Sequence, residues 1–86
     1  MRIAVTAEDI AAGRPHNCEA CPIAIAATRA AGEPMGTGTA TAWTYLSNQY
    51  INQTFELPGE ARGFVRRYDA GLAVRPFEFE LPNLAS

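Results

Sequence analysis

LPGEARGFVRRYDAGLAVRPFEFEL, residues 57–81, carries the two patterns that decide the fold. Its first half has a helical period. Leu57, Ala61, Phe64, Val65 and Tyr68 recur at three- and four-residue spacing and form one apolar stripe, with Arg62, Arg66 and Asp69 opposite. Pro58 near the start and Gly71 just past the end show the asymmetry expected of a helix. The second half changes period to two. Phe77, Phe79 and Leu81 face one way and Glu78 and Glu80 the other, which predicts a strand whose acidic side discourages pairing at a sheet edge. The two apolar stripes are expected to meet and close one miniature interior, leaving no space for an active-site cleft.

Immediately upstream, TATAWTYLS (39–47) and YINQTFEL (50–57) are rich in β-branched and aromatic residues, with SNQ (47–49) as a turn between them. They predict an antiparallel hairpin. Thr41, Trp43 and Tyr45 share one face of the first strand, and Ala42, Thr44 and Leu46 the other. In the second strand Ile51, Phe55 and Leu57 share a face, with Tyr50, Asn52, Thr54 and Glu56 opposite. Before the hairpin, the glycines and proline of GEPMGTGT (32–39) predict a loop.

Nearer the start, RIAVT (2–6) alternates as a strand. TAEDIAAG (6–13) predicts a short helix, with Thr6 and Asp9 at the spacing of a capping box and Gly13 ending it in a left-handed conformation. CPIAIAATRAAG (21–32) predicts a second helix ending at Gly32, with Ile23, Ala26, Ala27 and Ala30 on one side. Pro22 is tolerated in its first turn because amides there lack intrahelical acceptors. The order is β-α-β-β-α-β with the first helix split, and its usual form is a ferredoxin-like four-stranded antiparallel sheet with the helices on one face. PNLAS (82–86) is a tail. The expectation is one α+β domain over residues 1–86.

Composition bounds the function. The chain has 86 residues, 48% of them hydrophobic, which suits a globular protein and not a disordered one. The net charge is −2 and the pI about 5.2. Phosphate neutralisation calls for a basic excess, so nucleic-acid binding is disfavoured. Arg62, Arg66 and Arg67 in RGFVRRY are the residues that would serve it, although the aromatics beside them belong to the buried stripe. No apolar run is long enough for a membrane span, and the opening RIAVTAEDI does not read as a signal peptide. The cytoplasm is the expected compartment.

RPHNCEACPIAIA (14–26) holds both cysteines and the single histidine. Three chemical readings of it stand beside a structural one. Cys18 and Cys21 at a helix start could be a redox pair, although Glu19 puts negative charge beside them. His16, Cys18 and Cys21 supply three ligands for a metal, zinc being the one they suit, and a carboxylate such as Glu19 or Asp9, or a second subunit, would have to complete the shell. A structural disulfide is disfavoured in a reducing cytoplasm. The structural reading makes the cysteines small apolar residues packing the helix start, with no cofactor. GTGT within PMGTGTAT lacks the lysine and setting of a phosphate loop, and no spacing puts His16 near Ser47 or Asp69.

VTAEDIAAG (5–13), NCEACPIAIA (17–26), LPGEARGFVRRYDAG and VRPFEFEL together resemble a set of small uncharacterised proteins of actinobacteriophages and actinobacterial genomes, over nearly the whole chain. The resemblance implies a phage or prophage accessory protein acting in the bacterial cytoplasm and supplies no activity. With no catalytic constellation in view, the expected function is a non-enzymatic protein–protein interaction. Trp43, Tyr45 and Tyr50 are the contact residues, since such aromatics are enriched at interfaces, and the partner is a host or phage protein or a second copy in a homodimer.

Overall fold

The computed structural model describes residues 1–45 and 51–83. Its elements run β1 (Arg2–Val5), α1 (Ala7–Ala12), α2 (Pro22–Ala31), β2 (Met35–Thr37), β3 (Thr41–Tyr45), β4 (Ile51–Glu56), α3 (Gly59–Asp69) and β5 (Phe77–Glu80). This is an α+β fold with antiparallel pairing throughout these strands. The expected turn at 47–49, with Leu46 and Tyr50 beside it, lies outside the described residues.

The strands do not join in one sheet of four. They divide into a β1–β5 ribbon and a three-stranded sheet of order β2-β3-β4. Helix α2 packs against both β1 and β2, because its buried residues Pro22, Ile23, Ala24, Ala26 and Ala27 cover an arc wider than one face. Four of these side chains are alanine or proline, so backbones on either side approach closely. Ala30, expected on the same side, is exposed. Arg29 donates to the Ala4 carbonyl of β1 (3.0 Å), taking an acceptor that another strand would use.

The extra strand, β2, falls in the segment read as a loop. Met35 and Thr37 are buried, and Gly36 pairs with Trp43 of β3. Three residues are too few to show a period, and the glycines dominate the local signal. The turn into β3 closes with the Gly38 N–H donating to the Thr41 carbonyl (2.8 Å).

The helix ends follow the sequence in most respects. Thr6 Oγ1 accepts from the Asp9 N–H (3.2 Å) while Asp9 Oδ2 accepts from the Thr6 N–H (2.9 Å), a complete capping box. Gly32 ends α2 in the left-handed region (φ 73°). Gly71 does the same after α3 (φ 78°), with the Leu72 N–H donating to the Arg67 carbonyl and the Gly71 N–H to the Tyr68 carbonyl, a Schellman motif. Gly13 departs from expectation. Its backbone is extended (φ −71°, ψ 162°), and glycine is needed there for space, since a Cβ would lie 2.6 Å from Pro22 Cδ.

The two stripes that decided the reading do meet. Ala61, Phe64 and Val65 of α3 are buried with Phe79 and Leu81, together with Ile3, Val5, Ile23, Met35, Ala42 and Leu57 in one cluster. The Phe64 and Phe77 ring centroids are 5.0 Å apart, and Phe77 and Phe79 5.5 Å. The β1–β5 ribbon is in register Ile3 to Phe79, with Arg2 pairing Glu78 (3.1 Å) and Glu80 (3.2 Å) on its outer side.

Candidate functional site

The residues that the sequence singles out and the structure describes lie in three places: the loop between α1 and α2, the β2-β3-β4 sheet, and α3.

The loop is built by local hydrogen bonds. Arg14 N–H donates to the Ala20 carbonyl (2.8 Å), and the Cys21 N–H to the Asn17 carbonyl (2.9 Å). Asn17 Oδ1 accepts from the amides of Glu19 and Ala20, both at 3.0 Å, an Asx turn. His16 takes a left-handed backbone (φ 58°), a conformation more common for histidine than for most non-glycine residues. This turns its N–H onto Asp69 Oδ1 of α3 (3.0 Å), with Nδ1 3.8 Å from Oδ2. Sequence spacing had no means of bringing these two together. It placed Asp69 on the solvent side of α3, whereas only 18% of that side chain is exposed.

Cys21 is the N-cap of α2, and its Sγ accepts from the Ala24 N–H (3.4 Å). The same sulfur lies 2.7 Å from Thr37 Oγ1, and the Thr37 N–H donates to the Cys18 carbonyl (2.7 Å). Thr37 of β2 is thus gripped by both cysteine residues, a role that no motif marked. Cys21 is buried, Cys18 is exposed, and neither is in a disulfide.

His16, Cys18, Cys21, Thr37 and Asp69 line a cleft of about 250 Å³, floored in part by Val65. The closed interior expected from the two stripes therefore leaves a cleft beside it. The His16–Asp69 contact anchors the loop on the end of α3 at the rim of this cleft, which lies between loop, β2 and helix. The imidazole turns toward Asp69 and the buried sulfur toward Thr37. Among the described residues, no three His, Cys, Asp or Glu side chains gather as a metal-holding group. Asp9, weighed as a ligand, is committed elsewhere. Its carboxylate is bound by Arg29 (2.7 and 2.9 Å) and is held down to about pKa 2, chiefly by that pairing, against the upward push of burial.

The Arg29 partnership was also missed. A single cation within an alanine helix was the available hint. Tyr68 closes the same neighbourhood, its hydroxyl donating to the Ile10 carbonyl (3.3 Å). Burial, then Cys21 and Asp69, push its phenol upward.

In the sheet, Ala42 and Thr44 face the core and Trp43 the outer side, where it is partly buried. Trp43 lies over Gly38, and its buried Nε1–H finds no acceptor among the described residues. A bulge in β4 changes the expected facing of Ile51. Trp43 pairs with Thr54 but Tyr45 with Ile51, so Asn52 and Gln53 together oppose Thr44, and the Gln53 N–H donates to Thr44 Oγ1 (3.1 Å). Ile51 leaves the Phe55 side for the Trp43 side and is 56% exposed. Of Tyr45 only the backbone is described, and Tyr50 lies outside the described residues.

On α3, Arg62, Arg66 and Arg67 are exposed. Arg67 reaches the Ala73 carbonyl (3.3 Å) at the rim of a shallow groove with Phe64, Val74, Arg75 and Phe77. No described helix is long and apolar enough to cross a membrane. Comparison with protein-family models, curated proteins and solved structures yields no match.

Proposed function

We propose that this protein is a small non-enzymatic interaction module that docks a protein partner on the outer face of its three-stranded sheet. The observation that carries the reading is the β4 bulge, which sets Ile51 on the Trp43 side of the sheet and leaves it 56% exposed. A large aliphatic side chain standing in water beside an aromatic one is the composition of an interface centre. Thr41, Thr54 and Glu56, which register onto the same face, supply a polar surround.

The setting implied by the sequence resemblance is that of a phage-type accessory protein in the bacterial cytoplasm, with a host or phage protein, or a second copy of the chain, as partner. Photo-crosslinking tests the docking face. A photoreactive residue at position 51 is expected to capture protein in a host lysate or to give homodimers, while one at Arg62 on α3 is not. Capture at position 62 with none at 51 overturns the assignment of the face.

A further inference from the structure

We infer that Cys18 and Cys21 are a dithiol couple that closes an internal disulfide by exchange with a small-molecule disulfide, Cys18 attacking and Cys21 resolving. This is a chemical site separate from the sheet face, and four observations lead to it.

The two thiols differ in access. Cys18 is exposed, whereas Cys21 is 5% exposed and held by the Ala24 N–H and the Thr37 hydroxyl. An exposed thiol meets a soluble disulfide first, and a shielded one reacts with a sulfur delivered beside it. Both cysteines line the same cleft, so the delivered sulfur and the buried one share a space, with about 250 Å³ to receive the attached group.

The backbone puts the pair on one turn, a short movement away from bridging range. The amides of Ala20 and Cys21 both donate to the Asn17 carbonyl, so residues 18 to 21 run around a helical turn. Residues three apart on such a turn have Cβ atoms roughly 5–6 Å apart. A disulfide needs about 3.5–4.5 Å, a closure of about 1–2 Å. Finally, the loop is fixed before any reaction, by the Asn17 Asx turn and by the bond from the His16 N–H to Asp69. These contacts hold Cys18 over the cleft and do not touch sulfur, so His16 and Asp69 are positioning residues.

The chemistry balances as follows. The Cys18 thiolate attacks one sulfur of the small disulfide, forming a mixed disulfide and expelling the first thiolate. The Cys21 thiolate then attacks Cys18 Sγ, breaks the mixed bond and expels the second. The dithiol gives up two electrons and two protons, and the small disulfide is reduced to two thiols.

Glutathione disulfide is the probe, used on the full chain and followed by intact mass and peptide mapping. The wild type is expected to lose two hydrogens, with a Cys18–Cys21 link and no lasting adduct. Cys21→Ser, which keeps an N-capping oxygen, is expected to stop at one glutathione on Cys18. Cys18→Ser is expected to carry none under the same conditions. A stable glutathione adduct on the wild type, intermolecular disulfides in place of the internal link, or equal reaction of Cys21 in Cys18→Ser overturns the inference.

Discussion

The Asp9 carboxylate receives two hydrogen bonds from the Arg29 guanidinium, at 2.9 and 2.7 Å, across twenty residues of sequence. Asp9 is 3% exposed and also serves the α1 cap, while Arg29 reaches on to the Ala4 carbonyl. One ion pair therefore ties α1, α2 and β1 together. Asp9→Asn keeps the shape and removes the charge, leaving a guanidinium without its counter-ion. A loss of about 1–3 kcal/mol in urea unfolding is expected, and Arg29→Lys, which cannot make the paired bonds, loses most of the same amount.

The pH dependence has a definite sign. Folding lowers the Asp9 pKa from 3.8 to about 2, so the folded state favours the ionised carboxylate. Its contribution is complete above pH 3.8 and is lost as pH falls toward 2. Because Arg29 is half in solvent, the contribution is on the order of 1–2 kcal/mol. Acid titration of the wild type and of Asp9→Asn, followed by circular dichroism, is expected to show the stability gap narrowing through that window.

Tyr68 behaves oppositely. Its phenol is pushed above the ordinary 10.0, by burial first and then by Cys21 and Asp69. The folded state favours the protonated form, so stability present below pH 10 is lost as pH rises beyond it. In an alkaline absorbance titration, Tyr68→Phe is expected to remove a tyrosine that ionises above the ordinary 10.0. The variant loses about 0.5–1.5 kcal/mol with the bond to the Ile10 carbonyl.

Two glycine-to-alanine changes are expected to have opposite effects. At Gly13 the new Cβ falls 2.6 Å from Pro22 Cδ and 2.9 Å from its backbone nitrogen, so α1 or α2 must move, at a cost of about 1–3 kcal/mol. At Gly63, inside α3, a Cβ meets nothing within 4 Å, and the substitution is expected to stabilise by about 0.5–1 kcal/mol. Thermal melts of the two variants test the pair.

Phe64 joins the two stripes, stacking on Tyr68 (5.9 Å) and touching Phe77. Phe64→Ala is expected to cost about 3–5 kcal/mol, with a marked fall in the urea midpoint. A loss below about 1 kcal/mol would mean that the helix and the last strand do not depend on one another.

What was legible in the sequence was local or strictly periodic. The α3 stripe, the alternation of Phe77, Phe79 and Leu81, the Thr6–Asp9 box and the glycines after α2 and α3 each depend on residues within about one turn or a few strand positions. What was not legible joins distant residues or breaks a period. Asp9 and Arg29 are joined through tertiary packing, as are His16 and Asp69, and the second pair lines the cleft. The β4 bulge shifts Ile51 by one position, which in a period of two reverses its face. Strand β2 is too short for any period. The division into two sheets follows from the wide buried arc of α2, which an alanine-rich helix does not reveal until both neighbours are in place.

The ribbon of β1 and β5 sets a condition on how the chain acquires its shape. Arg2 and Glu78, partners across it, are 76 residues apart in sequence, so a loop of nearly that length must close before Ile3 and Val5 gain their cover from Phe77 and Phe79. Closure over such a span slows folding more than it weakens the final state. On the ribosome, β1 emerges long before its partner strand, and until then only α2 is there to cover its apolar side. The charged pairs that Arg2 makes with Glu78 and Glu80 do not help it during that interval, because those glutamates have yet to be synthesised.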